Sequence, residues 1–358
     1  METNNLKKYI ADTKAQIDTI LEDFYAIKIA DAGKLSGEYK KLIADTAKQT
    51  LRGGKRLRPA LAILGYTIAG GADHKKIITA AASLEIFHNY LLIHDDIMDR
   101  DDTRHGGLNI TGTYKKRLAK VLSPAEAEHI ANSFAISAGD VNCGLTYELL
   151  LSAGFPAKET LTAVARLSEA TFEVAAGQHL DIIASYKKSL SQKDIISIAR
   201  HKTADYSIIM PLQFGAILAG SDKKVLDAMQ SYGSSLGIGY QLADDVLGIF
   251  GNQKTIGKPV LSDLQEGKQT MLMHFGMQLA SQNEKKQLKS VFGNPKASMA
   301  DLKLTRKILE DSGAKAKTLI MAKDYAVAAI DSIPLITSDH STQSTLTSFA
   351  QYCVARSS

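Results

Sequence analysis

Apolar residues recur at helical spacing along almost the whole chain. Ile10, Ile17, Ile20, Leu21 and Phe24 trace one such stripe near the start. The same period predicts helices over 57–69, 77–99, 124–151, 159–183, 195–218 and 224–250, then over 269–281, 284–292, 299–311, 315–331 and 342–355. Alternation of period two is missing and β-branched runs are short, so no sheet is predicted. Helix starts are legible at Ser123-Pro124-Ala125-Glu126, Ser191-Gln192-Lys193-Asp194 and Ser298-Met299-Ala300-Asp301, each with a hydroxyl to cap and an early acid. Breaks fall at Gly70-Gly71, Gly106-Gly107, Gly154-Phe155-Pro156, Gly251-Asn252 and Gly293-Asn294-Pro295. The stretches 77–99 and 224–250 are long and apolar on most faces, which places them centrally. The pattern predicts an all-α helical bundle with a deep central cavity. No internal repeat or linker divides residues 1–358, so they read as a single domain.

Composition narrows the class. Hydrophobic residues make up 45% of the 358, a globular proportion. The net charge of +5 is mild and suits small anionic substrates. Basic residues are not interleaved with aromatics, which argues against nucleic acid. No apolar run approaches the roughly 20 residues of a membrane span, and the polar N-terminus lacks the core of a signal peptide. Cys143 and Cys353 are too few for a disulfide framework or a cysteine metal site, so a cytoplasmic home is expected.

Two acidic clusters change the picture most. Asp95-Asp96-Ile97-Met98-Asp99 and Asp244-Asp245-Val246-Leu247-Gly248 each follow an apolar helical stretch. Buried carboxylates need compensation, and a divalent cation supplies it. Magnesium takes hard oxygen ligands and commonly shares its shell with phosphate, so two facing clusters suggest a diphosphate site. Asp95 and Asp99, four apart, share a helix face with side chains about 5–6 Å apart. Asp96 points about 100° away. In the second cluster the place four after Asp244 is Gly248, so its paired carboxylate is missing.

Cations accompany both clusters. Arg52, Lys55, Arg56 and Arg58 crowd the turn at Gly53-Gly54, offering point charges and planar forks for phosphate. Arg104-His105 follows the first cluster, and Lys258 and Lys268 follow the second. His88 lies two turns before Asp95 on the same face. Lys202-Thr203, Gln178 and Asp181 place further polar groups in apolar helices, where they need partners.

With these residues assembled, the chain resembles the trans-isoprenyl diphosphate synthases, the polyprenyl synthetase family, and within it the short-chain geranylgeranyl and farnesyl diphosphate synthases. The likeness runs from about residue 40 to 330. Gly53-Gly54-Lys55-Arg56-Leu57-Arg58-Pro59 is similar to the family's basic turn, and Leu92 to Asp99 to its first aspartate-rich motif. Gly177-Gln178-His179-Leu180-Asp181, Lys202-Thr203, Gln241 to Asp245, and Gly257-Lys258 through Asp263-Leu264 to Lys268 match its later motifs.

The resemblance implies an isoprenoid-synthase-type bundle, usually a homodimer, that condenses isopentenyl diphosphate with an allylic diphosphate. It implies Mg2+, three ions per active site, held by Asp95, Asp99 and Asp244. Arg104, Lys202 and Lys258, joined by Lys268, would neutralise the allylic diphosphate. Thr203 and Gln241 would steady the allylic cation. Lys55, Arg58, His88 and the position of His105 would hold isopentenyl diphosphate.

Two departures stand out. The family usually has a second arginine where this chain has His105, which predicts weaker, pH-dependent binding there. Gly248 replaces a frequent aspartate, which predicts a modest effect on metal affinity.

Product length should follow from the helix before Asp95. Tyr90 stands five residues earlier, about 7.5 Å up the helix, Leu91 four earlier and Phe87 eight earlier. Phe87 and Tyr90 are expected to floor the cavity, and Leu91 leaves the fourth position without an aromatic. With no insertion in the first motif, this pattern resembles fifteen- to twenty-carbon makers and favours geranylgeranyl diphosphate. The alternatives are a farnesyl or longer-chain synthase, a non-catalytic subunit of a heteromeric synthase, and a terpene cyclase. Lys55, Arg58 and His88 argue against the cyclase, as do zero tryptophans.

Overall fold

A computed structural model describes residues 2–187, 189–251 and 260–355, and most of them are helical. The first half comprises α1 (Glu2–Leu35), α2 (Gly37–Leu51), α3 (Leu57–Ile68), α4 (His74–Asp99), α5 (Ile110–Leu118), α6 (Pro124–Ser152) and α7 (Ala157–Tyr186). Then α8 (Gln192–Ile198) runs through a π-helical stretch, Ala199–Ile209, into α9 (Met210–Leu218) without leaving helical backbone. The rest is α10 (Lys223–Phe250), α11 (Ser262–Glu266), α12 (Met271–Leu279), α13 (Gln282–Val291), α14 (Met299–Asp311), α15 (Ala314–Ser332) and α16 (His340–Val354).

The two stretches expected at the centre, α4 and α10, are there. Leu84, Ile86 and Phe87 of α4 pack in one apolar cluster with α1, α3, α6, α7 and α9. Leu242, Val246 and Ile249 of α10 pack in another with α12 to α15. Local chemistry sets the ends. Ser123 accepts from the Glu126 amide, and Ser191 and Ser298 each form a reciprocal capping box with Asp194 and Asp301. Asp73 caps α4, and Arg100 in left-handed conformation (φ 58°) ends it just past Asp99.

Three elements of the first half lie outside the predicted set. α2 and α5 carry runs of lysine and threonine that blur the apolar stripe, and each is fixed by a cap, Ser36 and Asn109. The third is a small hairpin, β1 (Thr103–Arg104) against β2 (Gly107–Leu108), turned at His105 (φ 51°) and Gly106 (φ 75°). Two consecutive positive φ values suit a tight two-residue hairpin turn.

Candidate active site

The end of α4 forms one wall of a cleft. Asp95 and Asp99 share the face toward it, and Asp96 turns inward to 1% exposure. Asp96 Oδ1 accepts from Arg104 Nε at 2.8 Å and from a second guanidinium nitrogen. Burial pushes the Asp96 carboxyl up to about 7 despite that partner. Arg104 also stands 3.7 Å from Asp95 and 3.9 Å from Asp101. In this state it serves carboxylates of its own neighbourhood.

The opposite wall comes from α7 and the π stretch. The widened turn brings Lys202 against α7, where a Cβ at Gly177 would lie 2.2 Å from the Lys202 amide nitrogen, so only glycine permits the approach. Lys202 Nζ donates to Asp181 at 2.6 Å and stands 3.3 Å from Asp95. Lys268 Nζ, just past α11, is 3.2 Å from Asp99 and 3.4 Å from Glu266. Burial works to raise the Asp95 pKa, but Lys202, Lys268 and Arg104 outweigh it and hold it low. Burial and the charge of Asp95 raise that of Asp99.

Behind Lys202, Thr203 donates to Gln241 Oε1 at 2.6 Å, and Gln241 Nε2 donates to Asp245 at 2.7 Å. Burial keeps the Asp245 carboxyl at about 8. Asp244 is half-buried beside it on α10. Lys258 lies outside the described residues.

The basic turn divides its cations. Arg56 (φ 54°) points into the protein, 2.8 Å from Asp18 of α1 and 2.7 Å from Glu85 of α4. Arg52 donates to the Leu108 carbonyl at 2.9 Å and braces the hairpin. Lys55 and Arg58 lie over aromatic rings instead. Lys55 Nζ rests 4.9 Å over the ring of Tyr352, and the Arg58 guanidinium 4.5 Å over Tyr206. Arg58 also donates to Ser207 at 2.7 Å, and the Tyr206 ring lies tilted against His88 at 5.9 Å.

His88 is kept neutral, first by burial and then by Arg58, and its buried Nδ1 has no hydrogen-bond partner. His105 is open on one side. Burial of the other and the charges of Arg104, Arg56, Arg52 and Arg58 hold it down to about 4. The imidazole is therefore neutral at pH 7, where partial charge was expected.

Below the charged mouth, an apolar cleft of about 140 Å³ runs between α4 and α7, lined by Tyr90, Leu91, Met98, Thr171, Val174 and Tyr206, with Asp95 and Lys202 at its rim. Phe87 does not line it. Its ring is 1% exposed and backs Tyr90 at 5.9 Å, so Tyr90 alone presents an aromatic from that pair. Tyr206 is a residue that sequence reading passed over. Its signal was its place four after Lys202, which sets it on the same side of a helix.

The donor set fits magnesium. Asp95 and Asp99 are hard oxygen ligands, and lysine ammonium groups stand where cations would be drawn. Among the described residues no three His, Cys, Asp or Glu side chains are grouped as a metal cage.

The polyprenyl synthetase family model matches residues 40–309. The chain is 32% identical over 319 residues to geranylfarnesyl diphosphate synthase of Aeropyrum pernix, covering 88% of this chain and 91% of that one. It is 31% identical over 307 residues to geranylgeranyl diphosphate synthase of Saccharolobus solfataricus, covering 85% and 87%. The crystal structure of geranylgeranyl pyrophosphate synthase from Corynebacterium glutamicum, complexed with isoprenyl diphosphate and magnesium, superposes with a TM-score of 0.88 at 28% identity over 98% of this chain and 99% of that one. The chain belongs to the polyprenyl synthetase family.

Proposed function

We propose that this prenyltransferase condenses isopentenyl diphosphate with an allylic diphosphate, head to tail and in the trans sense, to make a short-chain polyprenyl diphosphate, foremost geranylgeranyl diphosphate. One observation carries the reading: paired carboxylates and lysines at the mouth of an apolar cleft that Tyr90 lines. The mouth suits a diphosphate and the cleft suits its hydrocarbon tail.

Asp95, Asp99 and Asp244 would hold Mg2+, three ions per site, whose charge favours departure of the allylic diphosphate. Lys202 and Lys268 move from their carboxylates to phosphate oxygens, joined by Arg104 and Lys258. The Thr203 hydroxyl and Gln241 carbonyl turn their dipoles toward the developing allylic cation. Lys55 and Arg58 bind the diphosphate of isopentenyl diphosphate, with His88 and the neutral His105 as hydrogen-bond groups. The double bond attacks the cation, and the departing diphosphate takes the proton, so no side-chain base is required. Apolar walls keep out the water that would quench the cation.

A homodimer is part of the proposal. α6 and α7 present exposed apolar side chains, Ile136 at 49%, Leu161 at 67% and Phe172 at 76%, that a second copy would cover. No helix among the described residues is long and apolar enough to cross a membrane. A cytoplasmic home is part of the proposal.

The test is incubation with Mg2+, isopentenyl diphosphate and five-, ten- or fifteen-carbon allylic diphosphates. Elongated products are expected. No elongation with any primer would move the assignment to a non-catalytic subunit.

A further inference from the structure

The Tyr90 ring is braced from two sides along its own helix. Phe87 backs it at 5.9 Å and, at 1% exposure, has no room to yield. On the other side stands His94, one turn later on α4 and itself part of the cleft wall. Its imidazole meets Tyr90 edge to face, with ring centres 5.2 Å apart and planes at 78°. Such a contact orients both rings, because the positive edge of one seeks the negative face of the other.

His94 is seated in turn by α6. Its Nε2 donates to the Ile136 carbonyl at 3.4 Å and stands 3.7 Å from Asp140. The seat exists because position 139 carries no side chain. A Cβ at Gly139 would fall 2.3 Å from His94 Nε2 and 2.6 Å from its Cδ2, so the ring lies directly on the α6 backbone. One imidazole thus carries the position of α6 to the aromatic that faces the cleft.

We propose that His94 is a positioning residue for product length: seated on α6 at Gly139, it holds the Tyr90 ring against the cleft. Without the imidazole, the space it leaves between α4 and α6 lies beside Tyr90. The ring turns into that space and the cleft deepens. The inference deepens the reading of this chain as an elongating prenyltransferase and rests on it.

The experiment incubates the full-length protein with Mg2+, isopentenyl diphosphate and the fifteen-carbon allylic diphosphate, then sizes the products. Each product is read as a fraction of the total, so lost turnover from disturbing the neighbouring Asp95 does not enter. His94→Ala is expected to raise the fraction one five-carbon unit longer than the parent's main product about two- to tenfold, the worth of one edge-to-face ring pair. Gly139→Ala, whose methyl unseats the imidazole, should shift products in the same direction, and the double variant should go no further than His94→Ala. In a Tyr90→Ala background His94→Ala should add nothing, which a general loosening of the fold would not reproduce.

A parental product distribution in His94→Ala overturns the proposal. So does an equal shift from His94→Ala with and without Tyr90, since His94 would then act elsewhere. If thermal unfolding shows that His94→Ala does not fold, Gly139→Ala decides by the same two comparisons. A parent protein that elongates no primer overturns the reading beneath, so the two failures are told apart.

Discussion

Asp95 and Asp96 are neighbours in sequence and opposites in the fold. One faces the cleft among lysines, and the other is buried against Arg104. The helical period alone separates them, and this much was legible beforehand. Replacing Asp95 by alanine should lower kcat by at least about 100-fold while leaving the protein folded, as checked by steady-state kinetics and circular dichroism. Unchanged turnover would remove Asp95 from the mechanism.

His105 was legible only as a departure. The hairpin sets it among four arginines, and their field was invisible until Arg52, Arg56, Arg58 and Arg104 were brought together. Its folded-state value of about 4 lies below the ordinary 6.5. The folded protein therefore favours the neutral ring, and stability is lost as pH falls from about 6.5 toward 4. Above 6.5 the ring has nothing left to release. The KM for isopentenyl diphosphate should then show no His105 step between pH 6 and 8, and His105→Gln should leave that profile unchanged. A step near 6.5 that vanishes in His105→Gln would contradict this.

At the scale of elements, the basic turn shows what pattern alone cannot resolve. Four cations within seven residues look alike in sequence, yet backbone conformation sorts them. Left-handed Arg56 is drawn into a buried pair with Asp18 and Glu85, tying α1 and α4 to the turn. Arg56→Met should cost about 3–5 kcal/mol in urea unfolding by stranding the buried Glu85 carboxylate, while Asp18 keeps Lys14. Lys55→Met should cost little and act on isopentenyl diphosphate binding instead. Equal stabilities would refute the division.

The long helices were readable because a sustained apolar stripe is hard to mistake. α2, α5 and the hairpin were not, since caps and two positive φ values define them. Phe87 and Tyr90 show the same limit: the i,i+3 spacing predicts that they meet, which they do at a tilt of 58°, but not which of them reaches the cleft. Tyr90→Ala should lengthen the product by at least one five-carbon unit, resolved by chromatography of the hydrolysed products. An unchanged product would place the limit elsewhere along the cleft.

For the whole molecule, the architecture brings distant segments to one place: the end of α4, the π stretch before α9, the end of α10 and the segment around α11. Each contributes a charge that makes little sense within its own helix. Together they make a charged mouth above an apolar cleft, and that combination is the substance of the proposed reaction. The most direct measurement is product sizing with Mg2+, isopentenyl diphosphate and each of the three allylic primers. The account predicts elongation with a dominant twenty-carbon product. Absence of any elongated product, in a protein that is folded and supplied with magnesium, would contradict it.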